Sequence, residues 1–260
     1  MSAHAAPRPL ELIVARDAGA LAALAADRIA RELATLAVAR AEQSGATIEI
    51  AFAGGHTPRA TYTLLAADSR VPWPMLAAWL GDERAVAPDD PASNARLLHE
   101  TLVVPGVLRE DQLHAPFTAA PRTHADVEDA ASSYARRMPE RFDLMLLGLG
   151  ADGHVASLFP RSPALKELQR RCVAVRAPVE PVERVTLTPP LLASAGVLLV
   201  LVSGTEKAEA VARALEGEWD PRQTPGQLAR HGTWILDREA AAGLRRVGRT
   251  AAGDGPGLVS

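Results

Sequence analysis

Short apolar runs alternate with longer, Ala- and Leu-rich segments along most of this chain, and the two kinds of segment carry different periods. Runs near 11-14, 47-52, 76-80, 143-147, 172-176, 197-202 and 233-236 have the length and composition of strands. The segments near 17-43, 58-67, 93-102, 124-137, 205-216 and 238-244 space their apolar residues as helices do, and several open on Asp, Thr or Ser in N-cap position. Strands that read as nearly continuous apolar runs, separated by helices, are what a parallel sheet with crossover helices produces. The pattern therefore predicts an α/β protein, a three-layer α/β/α sandwich with a mostly parallel sheet, Rossmann-like in layout.

No fixed-period repeat and no long linker divides the chain, so residues 1-248 are expected to form one domain. Pro- and Gly-rich stretches near 103-106 and 221-226 read as loops. Half of residues 249-260 are Gly, Ala or Ser, and the segment is expected to be a flexible tail.

Composition narrows the function classes. Of 260 residues, 48% are hydrophobic and 23% charged, which suits a globular domain with a large core. A net charge of -3 gives no electrostatic reason to expect nucleic acid or an anionic membrane as partner, so any bound anion needs a local site. The lone cysteine, Cys172, excludes an internal disulfide and a multi-thiolate metal site, and a cytoplasmic setting is expected. Leu10 to Ala26 is interrupted by Arg16 and Asp17 and reads as an amphipathic helix rather than a signal segment. The longest apolar run, Val197 to Val202, is far too short to span a bilayer.

The richest segment runs from Asp143 through Gly148, Gly150 and Asp152-Gly153-His154 to Ser157-Leu158-Phe159-Pro160. It is an apolar strand entering a glycine turn, and ligands of open α/β sheets sit at such carboxyl ends. His154 there is a candidate base with Asp152 beside it. The same glycines spell G-x-G-x-x-G, but Pro160 falls where a phosphate-binding helix should be under way, and Arg171 and Cys172 stand where a ribose-binding carboxylate is needed.

Three further clusters end strands. Gly54-Gly55-His56-Thr57-Pro58 opens a helix with Pro in the first turn, and its free N-H groups suit an anion. Asp82-Glu83-Arg84, followed by Ser93-Asn94, offers carboxylates and a guanidinium fork. Arg184 in Arg184-Val185-Thr186-Leu187-Thr188 and Lys207 in Gly204-Thr205-Glu206-Lys207 add two cations, and a lysine opposing the helix dipole suggests a nearby anion.

In this order the segments resemble the 6-phosphogluconolactonases, from about residue 10 to residue 244. The family pattern S-G-G-S-T-P, D-E-R with S-N, G-x-D-G-H-x-x-S-L-F-P, R-x-T-x-T and G-x-x-K is matched, except that Ala53 and His56 stand where it has two serines. The resemblance implies hydrolysis of 6-phospho-D-glucono-1,5-lactone with no metal or other cofactor. It implies His154 as base, Asp152 as its orienting partner, and Arg84 at either the oxyanion or the phosphate. Gly54, Gly55, Thr57, Arg184 and Lys207 would hold phosphate, with His56 and Asp82 also at the substrate. The expected partner is a small phosphorylated sugar lactone, with neither nucleic acid nor membrane involved, and the oligomeric state is left open. Two alternatives share features. The glucosamine-6-phosphate deaminases share the Asp-Gly-His turn but place a glutamate where Phe159 stands. A non-catalytic sugar-phosphate sensor of the regulator kind would need an added DNA-reading module, for which only about ten residues before the first strand leave no room.

Overall fold

The computed structural model describes residues 10-42, 46-245 and 258-259. Its strands are β1 (Glu11–Ala15), β2 (Ile48–Phe52), β3 (Leu76–Leu80), β4 (Asp82–Arg84), β5 (Leu113–His114), β6 (Leu144–Leu147), β7 (Cys172–Arg176), β8 (Glu183–Leu187), β9 (Val197–Val202), β10 (Thr233–Asp237) and β11 (Leu258–Val259). Its α-helices are α1 (Ala18–Arg40), α2 (His56–Ala66), α3 (Asn94–Leu98), α4 (His124–Arg137), α5 (Pro189–Ala193), α6 (Ala208–Glu216) and α7 (Arg238–Ala241).

The main sheet has the order β11-β1-β10-β9-β6-β2-β3-β5, and every pairing is parallel except that of β11 with β1. Alternate residues of its strands feed two different cores. Ile48, Ile50, Phe52, Leu144, Leu146 and Leu199 pack with Ile29 and Leu33 of α1 and with Tyr62 and Leu65 of α2. Ala51, Met145, Leu147, Leu198, Val200 and Val202 face Val127 and Tyr134 of α4 and Val211 of α6. A strand buried on both faces is apolar at every position, which is why β6 and β9 read as unbroken runs. The three-layer α/β sandwich expected from the sequence is the architecture found.

Several details differ from the expectation. The strand at 172-176 is not in the parallel sheet; β7 pairs antiparallel with β8, and β8 with β4, as a separate three-stranded sheet. The alternation of Glu183-Arg184-Val185-Thr186-Leu187 is that of a strand, and its polar residues had drawn attention as chemistry instead. β4 and β5 are three and two residues long, too short to carry a period. α1 ends at Arg40 rather than 43, α3 gives way to a π turn over His99–Val103, and α6 is preceded by a 3-10 turn, Thr205–Lys207. The caps read from sequence are made: Asp17, Ser93, Thr123 and Asp237 each accept a backbone N-H with the side chain. Of the segment 249-260 only Leu258–Val259 lies among the described residues. No helix among the described residues is long and apolar enough to cross a membrane.

At the edge of the sheet opposite its functional end, Asp143 fastens β6 to β2 and α1. Its carboxylate accepts from Glu49 N-H at 2.8 Å and from both terminal nitrogens of Arg40. Charge-assisted bonds of this kind are worth about 1.5 to 3 kcal/mol each when buried, and partial exposure reduces that. Asp143→Ala is expected to lower unfolding stability by about 2 kcal/mol, read as a reduced urea midpoint at unchanged slope.

Candidate active site

β2, β6 and β9 are adjacent and parallel, so the turns that follow them open at one end of the sheet. From β2 the chain goes to β3 on one side, and from β6 it goes to β9 on the other. Such a divergence leaves a crevice above the junction. There lies a cleft of about 330 Å³, and its lining includes Gly54, Gly55, His56, Thr57, Asp82, Arg84, His154, Arg184 and Lys207. These are the sequence-nominated residues save Asp152, which stands behind His154.

His154 and Asp152 are held by a turn built on glycine. Gly150 N-H donates to the carbonyl of His154 at 2.8 Å, and Gly153 N-H to that of Gly150 at 2.9 Å, with Gly153 at φ 94°. A Cβ on Gly150 would lie 2.1 Å from His154 Nδ1 and 2.6 Å from an Asp152 oxygen, so the pair occupies the space a side chain would take. His154 Nδ1 meets Asp152 Oδ1 at 2.6 Å, and the same oxygen accepts His154 N-H at 3.1 Å. With the Nδ1 proton donated to the carboxylate, Nε2 carries the free lone pair. Burial works to raise the Asp152 carboxyl, but the hydrogen bonds and charge of His154 outweigh it and hold the group below its ordinary value of 3.8. Asp152 is therefore ionised throughout the neutral range.

The segment 220-230, of unassigned role in the sequence, buttresses this turn from outside the cleft. Gly226 N-H donates to the carbonyl of Gly153 at 2.8 Å, and from α6 Arg213 Nη2 adds a bond to that of Ala151 at 3.2 Å. Phe159 packs behind the imidazole: its ring lies 4.6 Å from it, centroid to centroid, and the Arg184 guanidinium stands 5.5 Å from the ring centre.

The anion side is assembled from three elements. α2 starts directly after Gly55, which has φ 105°, and no side chain caps its first N-H groups. The turn is fixed from below by buried Tyr62, whose hydroxyl accepts from Ala53 N-H at 3.0 Å and donates to Ala53 C=O at 2.7 Å. A Cβ on Gly54 would fall 1.8 Å from Asn94 Oδ1, so Asn94 packs against bare backbone there. Asn94 in turn accepts from Arg84 Nη1 at 2.5 Å and donates to the Asp82 carbonyl at 2.8 Å. Arg84 and Arg184 are register partners on β4 and β8, and Arg184 is only 6% exposed. Burial, with the nearby Arg84 charge, depresses the Arg184 guanidinium below its ordinary value despite the opposing pull of Asp82. Like charges directly opposite in a sheet are unfavourable, and Arg84 Nε is buried with no partner. Lys207 has no ion-pair partner among the described residues. A local excess of unpaired donors and positive charge is what an anionic ligand would relieve.

Sequence reasoning left Glu83 without a role, and the structure turns it away from the cleft. It is 2% exposed and accepts from the N-H groups of Arg84, Asn94 and Ala95 and from Ser93 Oγ, fixing the start of α3 against β4. Burial raises its carboxyl against those bonds. The pairing of Asp82-Glu83-Arg84 with Ser93-Asn94 was the available signal. The dinucleotide reading fails on geometry: no α-helix follows β6, and the next helical turn is the 3-10 segment Pro163–Lys166.

Residues 16–236 match the family model of glucosamine-6-phosphate isomerases and 6-phosphogluconolactonases. The chain belongs to this family. It is 33% identical over 254 residues to a 6-phosphogluconolactonase of Streptomyces coelicolor, covering 91% of this chain and 95% of that one. A 6-phosphogluconolactonase of Synechocystis is 36% identical over 209 residues, 75% of this chain and 84% of the relative. The solved 6-phosphogluconolactonase of Trypanosoma brucei superposes with a TM-score of 0.79 at 27% identity, covering 91% of this chain and 99% of that one. A monomeric glucosamine-6-phosphate deaminase shares the fold, with a TM-score of 0.71 at 21% identity.

The close fit of His154 over Gly150 yields a test of the turn within this family scaffold. Gly150→Ala is expected to displace the imidazole and lower kcat by about 100-fold or more, on the scale of a misplaced reacting group. Circular dichroism and the melting midpoint check that the fold survives.

Proposed function

We propose that the protein hydrolyses 6-phospho-D-glucono-1,5-lactone to 6-phospho-D-gluconate, the lactonase step of the oxidative pentose phosphate pathway, with His154 as general base. The observation that carries the assignment of the base is the Nδ1 contact of His154 with an ionised carboxylate, which leaves Nε2 as acceptor at the cleft. His154 takes a proton from water as the water oxygen bonds to the lactone carbonyl carbon, giving a tetrahedral oxyanion. Its collapse breaks the ring C-O bond, and the ring oxygen takes the proton back from the imidazolium. The carboxylic acid so formed ionises and releases one proton. A positioned base typically contributes about 10²- to 10⁴-fold.

The phosphate would lie against the first turn of α2, with Gly54, Gly55 and Thr57 beneath it and Arg184 and Lys207 around it. Because Arg84 pairs in register with Arg184, both guanidinium groups face the same region, and this favours phosphate over oxyanion for Arg84. His56 at the first position of α2 adds a donor where the family pattern has a serine hydroxyl. Asp82, a carboxylate, suits sugar hydroxyls rather than phosphate. Among the described residues no group of three or more His, Cys, Asp or Glu side chains could hold a metal ion. The chemistry assigned to these side chains requires none. We place the protein in the cytoplasm on its single, buried cysteine.

Phe159 favours this reading over a deaminase. Sugar ring opening and isomerisation need a second proton carrier near the histidine, and the ring that packs on His154 has no proton to give. Freshly prepared 6-phospho-D-glucono-1,5-lactone should be hydrolysed well above its spontaneous rate by the wild type and at background by His154→Ala, with glucosamine 6-phosphate unreactive toward both. Turnover of the amino sugar, or full activity in His154→Ala, would sink the assignment. Arg184→Gln is expected to raise KM at least tenfold, the equivalent of about 1.4 kcal/mol. Because it also removes a like-charge pair, its melting midpoint without ligand should not fall in proportion.

A further inference from the structure

Two residues of the matched motifs, Ser157 and Thr186, have no place in the chemistry above, yet both are completely buried. Ser157 follows His154 by three positions. Its hydroxyl donates to Asp82 Oδ2 at 2.6 Å, and its N-H donates to Thr186 Oγ1 at 3.1 Å. Thr186 and Asp82 are themselves register partners on β8 and β4. The Thr186 hydroxyl is committed on its other side, donating to the Leu187 carbonyl at 3.1 Å.

These bonds join parts of the molecule that share no sheet. His154 rides on the turn after β6 in the large parallel sheet, whereas Asp82 and Thr186 belong to the small antiparallel one. The arginines at the anion side, Arg84 and Arg184, sit on the same two short strands, each two residues from an anchor of the clamp. Asp82 continues the connection, its carbonyl accepting from Asn94, which packs on Gly54. The loop is held tightly enough that Ala156, between His154 and Ser157 and lining the cleft, has φ 49°, in the left-handed region that an L residue rarely occupies. A strained torsion persists only where surrounding bonds over-determine it.

We propose that Ser157 and Thr186 are positioning residues, a two-point clamp that sets where the His154 imidazole stands relative to the phosphate-binding arginines. Neither touches substrate. The clamp fixes the distance between the group that activates water and the groups that anchor the far end of the substrate. Loosening it lets substrate bind at the anion side while the carbonyl and the imidazole lose their alignment. This rests on His154 being the base.

Ser157→Ala and Thr186→Val, measured beside His154→Ala and the wild type, test the clamp. Thr186→Val keeps the side-chain shape and removes the hydroxyl, which accepts from Ser157 N-H and donates to the Leu187 carbonyl, so it stands as the second probe if truncation at 157 disturbs folding. Each variant is expected to lower kcat about tenfold, within the range that misalignment of a reacting group produces. KM and the calorimetric affinity for 6-phospho-D-gluconate should stay within about twofold of wild type, since binding at the anion side is untouched. Wild-type kcat in both folded variants would overturn the clamp while leaving the base intact. So would a parallel loss of product affinity, or a loss of folded protein with turnover per folded molecule unchanged, either of which would make the residues structural supports. Full activity in His154→Ala would instead overturn the reading on which the clamp depends.

Discussion

Parallel pairing of β6 between β2 and β9 is the constraint from which the site follows. Backbone hydrogen bonds fix these strands side by side and in one direction, so their three following turns emerge together. One turn brings the uncapped start of α2, another the histidine and its carboxylate, and the third Lys207. No side chain of the cleft determines that meeting. It is set by apolar strands that are buried on both faces and so have few alternative arrangements.

The small sheet completes what the large one begins, and its contribution has an electrostatic cost. Placing Arg84 opposite Arg184, with the latter nearly inaccessible to water, concentrates positive charge where solvent screens it poorly. The protein offsets part of this with hydrogen bonds to backbone carbonyls, from Arg184 Nε to Pro181 at 3.0 Å and from Arg84 Nη1 to Ala92 at 2.8 Å. Such bonds orient the guanidinium groups without neutralising them. Asp82 opposes the excess only in part, and donors held this way would interact more strongly with an anion than the same groups on an open surface, where water already satisfies them.

What the sequence disclosed and what it hid divide along physical lines. Strands β3, β6 and β9 were readable because burial on two faces writes every position as apolar, β2 and β10 because only Glu49, Thr233 and Asp237 break their runs, and α4 because Thr123 and Asp126 form a capping box. The small sheet was not readable. β4 is polar throughout and three residues long, and β8 puts Arg184 in a strand whose alternation is easily taken for a binding motif. The chemistry-bearing turns stood out because each joins glycines to charges at the end of an apolar run. Contacts that span distant segments, such as Ser157 with Asp82 or Glu83 with the start of α3, leave no local period and become visible only when the chain is folded.

Phe159 shows how one side chain can tilt a shared scaffold toward one reaction. A deaminase shares this fold at 21% identity, so the fold alone does not select the reaction. An aromatic ring against the imidazole removes water from one side and offers no charge to it. A glutamate in place of Phe159 would bring a second charge beside Arg184 and compete with the ligand for that guanidinium. The apolar residue therefore leaves both the imidazole and the Arg184 guanidinium without a competing carboxylate.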